Sequence, residues 1–187
     1  GSFQYDPSVP HLDYADLLRH VWTCTTPLIA RVNGHCMAGG MGLMGMCDMA
    51  VAADHATFGL PEVKIGLFPA QVLSVVQYLV GARQLAEMCI TGEPVDAQRA
   101  ERIGLVNYVV PDWELDARTD WLIERVVNKS PTAIRKGKAM MRAAADMTFE
   151  QAISFLESQI MTLALTEDAK EGRAAFIEKR APNWTGR

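Results

Sequence analysis

Two features of this chain could do chemistry. One is a glycine turn at Ala38-Gly39-Gly40; the other is a lone carboxylate, Glu62, which follows Pro61 in FGLPEVKIGLFP. The turn lies between an apolar stretch, LIARVNG, and a helical-looking one, GLMGMC. N–H groups at a helix start lack intrahelical partners, so they can hold an oxygen that becomes negative. A carboxyl group among apolar side chains can move protons near neutrality. Together they point to chemistry at a carbonyl whose oxygen develops charge. Each also has a plainer explanation. The glycines would permit a tight turn and close packing, and Glu62 would be a surface carboxylate near a strand start.

These residues need elements to position them. Residues 3–14 read as a loop punctuated by Pro7 and Pro10. Tyr14, Leu17, Leu18 and Val21 recur at helical spacing and predict a helix to Trp22. A strand over Leu28–Val32 precedes the glycine turn, and a helix over Gly39–Cys47 follows it. Met49–Ala53 is apolar without alternation, the pattern of a parallel strand buried on both faces. Phe58-Gly59 forms a short extended piece. Helices are expected over 69–81, 83–90 and from an Asp96 cap to Gly104, then a strand over Leu105–Val110. Beyond Pro111 only helices are expected, over 112–128, 131–145, 149–164 and 167–179. Their starts carry caps at Ser130, at Thr148 with Gln151 as a capping box, and at Thr166.

Composition narrows the field. The chain has 187 residues, 49% of them hydrophobic and 21% charged, as in a globular protein. A net charge of −4 argues against a nucleic-acid or anionic-membrane surface. Apolar runs break well before the roughly 20 residues of a membrane span, and the start carries no signal-peptide pattern. Cys24, Cys36, Cys47 and Cys89 have no CxxC pair and read as buried free thiols of a reducing compartment. His11, His20, His35 and His55 lack metal-ligand spacing, so no metal is expected.

Five stretches, taken in order, resemble the enoyl-CoA hydratase/isomerase family, or crotonase superfamily. They are PLIARVNGHCMAGG, MCDMAVAADHATFGLPEVKIGLFP, TGEPVDAQRAERIGLVNYVV, KSPTAIRKGKAMM and EGRAAFIEKRAPNW. None is decisive singly; five in register are specific. The resemblance implies an α/β fold: a crotonase-like ββα spiral, partial because its first turns are missing, followed by an all-helical C-terminal trimerisation region. It divides the chain into a linker and first helix (1–25), the C-terminal part of the spiral core (26–111) and the helical region (112–187). It also implies a coenzyme A thioester substrate with its carbonyl at two backbone N–H groups, one of them that of Gly39. Catalytic roles fall to Glu62 and Gly39. Met37, Ala38, Gly39 and Pro61 would line the substrate, and Phe176 and Lys179 would contact coenzyme A, across a subunit boundary. No cofactor is implied, since coenzyme A is part of the substrate. The implied partners are further copies of the chain in a trimer or hexamer and the missing N-terminal part of the family's own chain. A cytoplasmic location follows, or the mitochondrial matrix if a transit segment has been removed.

Two departures bear on mechanism. The family's second oxyanion donor belongs to an earlier segment that residues 1–25 do not match. The family's first glutamate corresponds to Gly42, which cannot move a proton. Hydration of a 2-enoyl-CoA, branched or glutaconyl-type included, is the leading expectation. Double-bond isomerisation by a single glutamate is the alternative, and a non-catalytic oligomerisation scaffold is a further one. Plainer readings stand beside the remaining residues. Asp48 would bond local backbone, Asp54 and His55 would occupy a turn, and His35 would be structural. Met37, Met41, Met44, Met46 and Met49 would be core rather than acyl pocket. Arg135, Lys136, Lys138 and Arg142 would form a solvated basic face.

Overall fold

The computed structural model describes residues 13–187; the expected loop at Pro7 and Pro10, and His11, lie outside them. Strands β1 (Ile29–Val32), β3 (Met49–Ala53) and β6 (Tyr108–Val110) form one parallel sheet in the order β1-β3-β6. Strands β2 (His35–Met37), β4 (Thr57–Gly59) and β5 (Val95–Asp96) form a second sheet, with β2 parallel and β5 antiparallel to β4. The chain alternates between the two. It lays β1 in the first sheet and β2 in the second, then runs into helix α2 (Gly39–Gly45); it repeats with β3, β4 and helices α3 (Ala70–Val76) and α4 (Ala82–Thr91). This strand-strand-helix repeat is the spiral that the resemblance implies.

Strand β3 shows why the pattern is legible. Ala50 and Ala52 face the larger core with Met41, Phe58 and Leu60. Val51 and Ala53 face Leu115 and Leu122 of α6 (Leu115–Val127). Successive side chains of a strand point to opposite faces, so a strand covered on both must be apolar throughout.

The helical C-terminal region is as expected: α6, α7 (Pro131–Ala144), α8 (Phe149–Leu163) and α9 (Glu167–Glu178). Ser130 Oγ accepts from the Ala133 N–H, Thr148 and Gln151 form the reciprocal capping box, and Thr166 Oγ1 accepts from Ala169. The first helix, α1 (Tyr14–Thr23), packs Leu18 against Met46 and Val75. Asp96 caps α5 (Ala97–Arg102) by accepting from the Arg99 N–H.

The structure departs from expectation in several places. Strand β2 has no signature in the sequence, because HCM is too short to show a period. The helix expected over 69–81 ends at Val76, where Tyr78 and Leu79 turn to bond carbonyls three residues back. The strand expected over 105–110 starts only at Tyr108. Before it, Asn107 substitutes for ladder pairing: its N–H donates to the Ala50 carbonyl and its Oδ1 accepts from the Ala50 N–H, at 2.9 and 2.8 Å. The basic face at 135–142 is not uniformly solvated. Lys138 is only 4% exposed and donates from Nζ to Asp48 Oδ2 and the Thr26 carbonyl, both at 2.7 Å. Arg142 folds back on the end of α1, donating to carbonyls of Val21, Trp22 and Cys24 with its guanidinium 5.2 Å from the Trp22 ring centre. Among the described residues no helix is long and apolar enough to cross a membrane.

Candidate active site

Parallel pairing of β2 with β4 places both chemical features at one edge. The register sets Met37 opposite Gly59, and the Ala38 N–H donates to the Gly59 carbonyl at 3.0 Å. The segments leaving these strands, Ala38-Gly39 and Leu60-Pro61-Glu62, therefore emerge side by side at the carboxyl ends of parallel strands, where α/β folds bind ligands. They border a cavity of about 700 Å³, lined by Tyr14, Ala38, Gly39, Pro61, Glu62 and the Leu67–Val72 segment.

The turn is held under strain. Ala38 has φ 49° and ψ −122°, a region that side-chain-bearing residues rarely enter. That conformation sets the direction of the Gly39 amide. Among the described residues no carbonyl or side chain accepts a hydrogen bond from the Gly39 N–H. The three atoms nearest an added Cβ at Gly39 all belong to Tyr14, at 3.6–3.9 Å, so they leave it room. A bare backbone there lets a ligand oxygen approach closely.

Glu62 lies in a single 3-10 turn, Pro61–Ile65, with Pro61 at its first position. Gly66 closes the turn at φ 78°, and the Leu67 N–H returns to the Glu62 carbonyl at 3.0 Å. The Glu62 side chain thus borders the cavity from a turn rather than from a strand. Its Oε2 is buried and has no hydrogen-bond partner among the described residues. A buried carboxylate oxygen without a donor is costly unless it has work to do. Its charge is felt nearby. Burial pushes up the Cys89 thiol and then Glu62 adds to it; burial, Cys36 and Glu62, in that order, push up the Tyr14 phenol. Tyr14 is accordingly a neutral donor at physiological pH.

Tyr14 carries no mark of a site residue in the sequence. It occupies an apolar position of α1, and nothing around it in the chain marks it as facing a site. The signal lay at Gly42 instead. A Cβ built there would overlap the Tyr14 hydroxyl, which itself donates to the Gly39 carbonyl at 2.6 Å. The volume that a side chain at 42 would fill is already occupied.

The other sequence candidates are placed as follows. Met37 lies against Gly59, and Met41, Met44 and Met46 are buried in the two apolar clusters, so the methionines are mainly core. His35 pairs with Thr57 across β2–β4, Nδ1 to Oγ1 at 2.6 Å. Asp54 and His55 sit in a turn. The backbone partner of Asp48 is not local: Oδ2 accepts from the Leu28 N–H, twenty residues away, and pairs with Lys138. Phe176, 86% exposed, and Lys179, the left-handed cap of α9, do not line the Gly39–Glu62 cavity of their own chain. Phe176 borders a separate groove with Ile160, Leu163 and Trp184.

Two sheets fed by a strand-strand-helix spiral, with a strained amide turn and a carboxylate at one edge, define a crotonase-type fold. The chain matches the enoyl-CoA hydratase/isomerase family model over residues 5–187 and belongs to that family. It is 38% identical over 176 residues to carnitinyl-CoA dehydratase of Salmonella typhi, covering 91% of this chain and 67% of that one. It is 37% identical over 163 residues to a probable enoyl-CoA hydratase of Mycobacterium tuberculosis, covering 87% and 63%. A crystal structure of enoyl-CoA hydratase from Mycobacterium smegmatis superposes with a TM-score of 0.88 at 33% identity, covering 91% of this chain and 66% of that one. The chain thus spans roughly two thirds of the length of these relatives.

Proposed function

We propose that the protein binds an acyl-CoA thioester and hydrates its 2,3 double bond. The observation that carries this reading is the shared cavity of the Gly39 amide and the buried, unpartnered Glu62 oxygen. The thioester oxygen lies at the Gly39 N–H and at a second donor, which the family carries in an earlier segment of its chain. Enolate charge collects there, and one such donor lowers the barrier by about 2.7–4 kcal/mol. Glu62 takes a proton from water as the water oxygen bonds to C3. It then delivers that proton to C2, and the enolate returns to the thioester. Coenzyme A enters as part of the substrate, with no further cofactor.

Relatives named as enoyl-CoA hydratase and carnitinyl-CoA dehydratase support water addition or removal. The family's acyl-CoA chemistry supports the substrate class. Ala38 and Pro61, which line the cavity, flank the acyl group, while Met37 packs behind them against Gly59. Phe176 and Lys179 reach coenzyme A bound to a neighbouring copy in a trimer or hexamer, a role that their exposure on α9 suits. The apolar side chains of Phe149, Met161, Leu165 and Ile177, each at least 67% exposed, suit the same assembly. The compartment proposed is the cytoplasm.

One observation favours a second reading. With glycine at 42, a single carboxylate faces the cavity from these two positions, and one base suffices to move a proton between carbons in a double-bond isomerase. Incubation with crotonyl-CoA, 3-methylglutaconyl-CoA and a 3-enoyl-CoA separates the two. Hydration raises the product mass by one water, whereas isomerisation leaves it unchanged. A protein that shifts the double bond of the 3-enoyl-CoA and hydrates neither 2-enoyl substrate would overturn the hydratase reading.

A further inference from the structure

Hydration needs more than a base. Water has to be held with a lone pair toward C3, and one hydrogen bond leaves it free to rotate. Two acceptors, each taking one of its hydrogens, fix the molecule and aim the lone pair. Glu62 is one acceptor, and Gly42 offers no side chain for the second.

We propose that the Tyr14 hydroxyl, seated over Gly42 and bordering the same cavity as Glu62, is the second group that orients the attacking water. This inference rests on the hydratase reading above. Three observations converge on it. The phenol occupies the volume that a side chain at 42 would fill. Its own hydrogen is committed to the Gly39 carbonyl at 2.6 Å, which leaves the lone pairs of Oη to accept. Tyr14 and Glu62 line one cavity, and after burial and Cys36 the Glu62 charge also pushes the phenol up. Water donates one hydrogen to Glu62 and the other to Tyr14 Oη. The first becomes the proton delivered to C2, and the second stays on oxygen as the product hydroxyl. Tyr14 keeps its own proton throughout. It is a positioning residue; Glu62 remains the base. The same contact explains how glycine at 42 is compatible with hydration, since a phenol reaching in from α1 stands where a residue of α2 would otherwise reach.

The bond from Tyr14 to the Gly39 carbonyl supplies a competing explanation, because a disturbed turn would weaken oxyanion binding. Two reactions separate them. Exchange of the C2 hydrogens of butyryl-CoA in deuterium oxide needs Glu62 and the oxyanion amide but no attacking water. Hydration of crotonyl-CoA needs all three. For Tyr14→Phe, which keeps the ring over Gly42, kcat for hydration should fall about 100-fold, KM should stay within about twofold, and exchange should persist within about threefold of wild type. Equal losses in both reactions would assign Tyr14 to the turn and overturn the proposal, as would undiminished hydration. A carboxylate rescue guards against a variant that merely misfolds. Gly42→Glu alone clashes with Tyr14 and should hydrate poorly. Tyr14→Ala with Gly42→Glu opens the space for a carboxylate and should recover hydration at least tenfold over Tyr14→Ala; no recovery in a double variant that melts like wild type counts against the proposal. A wild-type protein that catalyses exchange but no hydration defeats the hydratase reading itself, which a failure of the tyrosine variant alone does not.

Discussion

Lys138 of α7 and Asp48, at the end of the α2 segment, meet at 2.7 Å across ninety residues of sequence, with the lysine side chain 4% exposed. Asp48 Oδ2 also accepts from the Leu28 N–H, just before β1. Lys138 also donates to the Thr26 carbonyl, so one ion pair ties the entry of the first sheet to the C-terminal helices. The motif KSPTAIRKGKAMM looks like a basic surface, yet its third lysine is a buried clamp.

Removing one partner of this pair should be costly. Lys138→Ala is expected to destabilise the fold by about 3 kcal/mol, the low end for a broken buried pair because Asp48 keeps the Leu28 amide and partial access to water. Lys138→Met with Asp48→Asn should lose less than the sum of its single variants. Urea unfolding of the four proteins measures the coupling, and strict additivity would remove the clamp from the account.

Asp168 of α9 should make stability acid-sensitive. Burial pushes its carboxyl up, but the Ser130 hydroxyl and the N–H groups of Thr185, Gly186 and Thr132 outweigh that and hold it far below the usual carboxylate range. A folded-state value below the unfolded one of roughly 3.9 gives stability that is complete above that pH and drains away below it. Asp168→Asn should cost roughly 2–3 kcal/mol at pH 7, and the gap to wild type should start to narrow only below about pH 3.9 and keep narrowing as the pH falls through the depressed folded-state value. Thermal melts at several pH values give the comparison; a gap that widens in acid would contradict the assignment.

Gly45 of α2 packs tightly against the side chains of α3 and the turn after it. A Cβ there meets Val75 Cγ1 at 2.9 Å and Leu79 Cδ1 at 3.2 Å. Alanine improves helix propensity by roughly 1 kcal/mol, but the overpacking outweighs it. Gly45→Ala is expected to lose about 1 kcal/mol and Gly45→Leu about 3 kcal/mol. A chemical-denaturation midpoint raised by alanine would show that α3 yields freely.

Glu62→Gln separates chemistry from stability. The amide is nearly isosteric, so the melting temperature should hold or rise slightly, because a buried charge without a donor is removed. Hydration should fall by about 10²–10⁴-fold. Retention of full rate would exclude Glu62 as the base.

Thiol reactivity should follow burial. Cys36 is buried, and burial followed by Cys47 pushes its thiol up to about 11. Cys89 is buried and pushed up as well, whereas Cys24 is only partly covered. Alkylation at pH 8 followed by mass spectrometry should label Cys24 before Cys36 or Cys89. Early labelling of Cys36 would mean that the β2 edge opens readily.

Much of this architecture was written into local patterns. The unbroken apolar run of β3 and the caps at Asp96, Ser130, Thr148 and Thr166 each depend on residues within a turn or two of one another, and each of the five motifs is one contiguous stretch. Such signals survive in a linear chain because helix starts and doubly covered strands impose their demands locally. Tertiary structure alone decided what those elements bring together. Gly39 and Glu62 become neighbours only because β2 lies parallel to β4 with Met37 opposite Gly59, and a three-residue strand carries no period from which that register could be read. Tyr14 over Gly42 and Lys138 against Asp48 are equally non-local: their energies come from desolvation and contact between segments, quantities that a residue's chain neighbours do not encode.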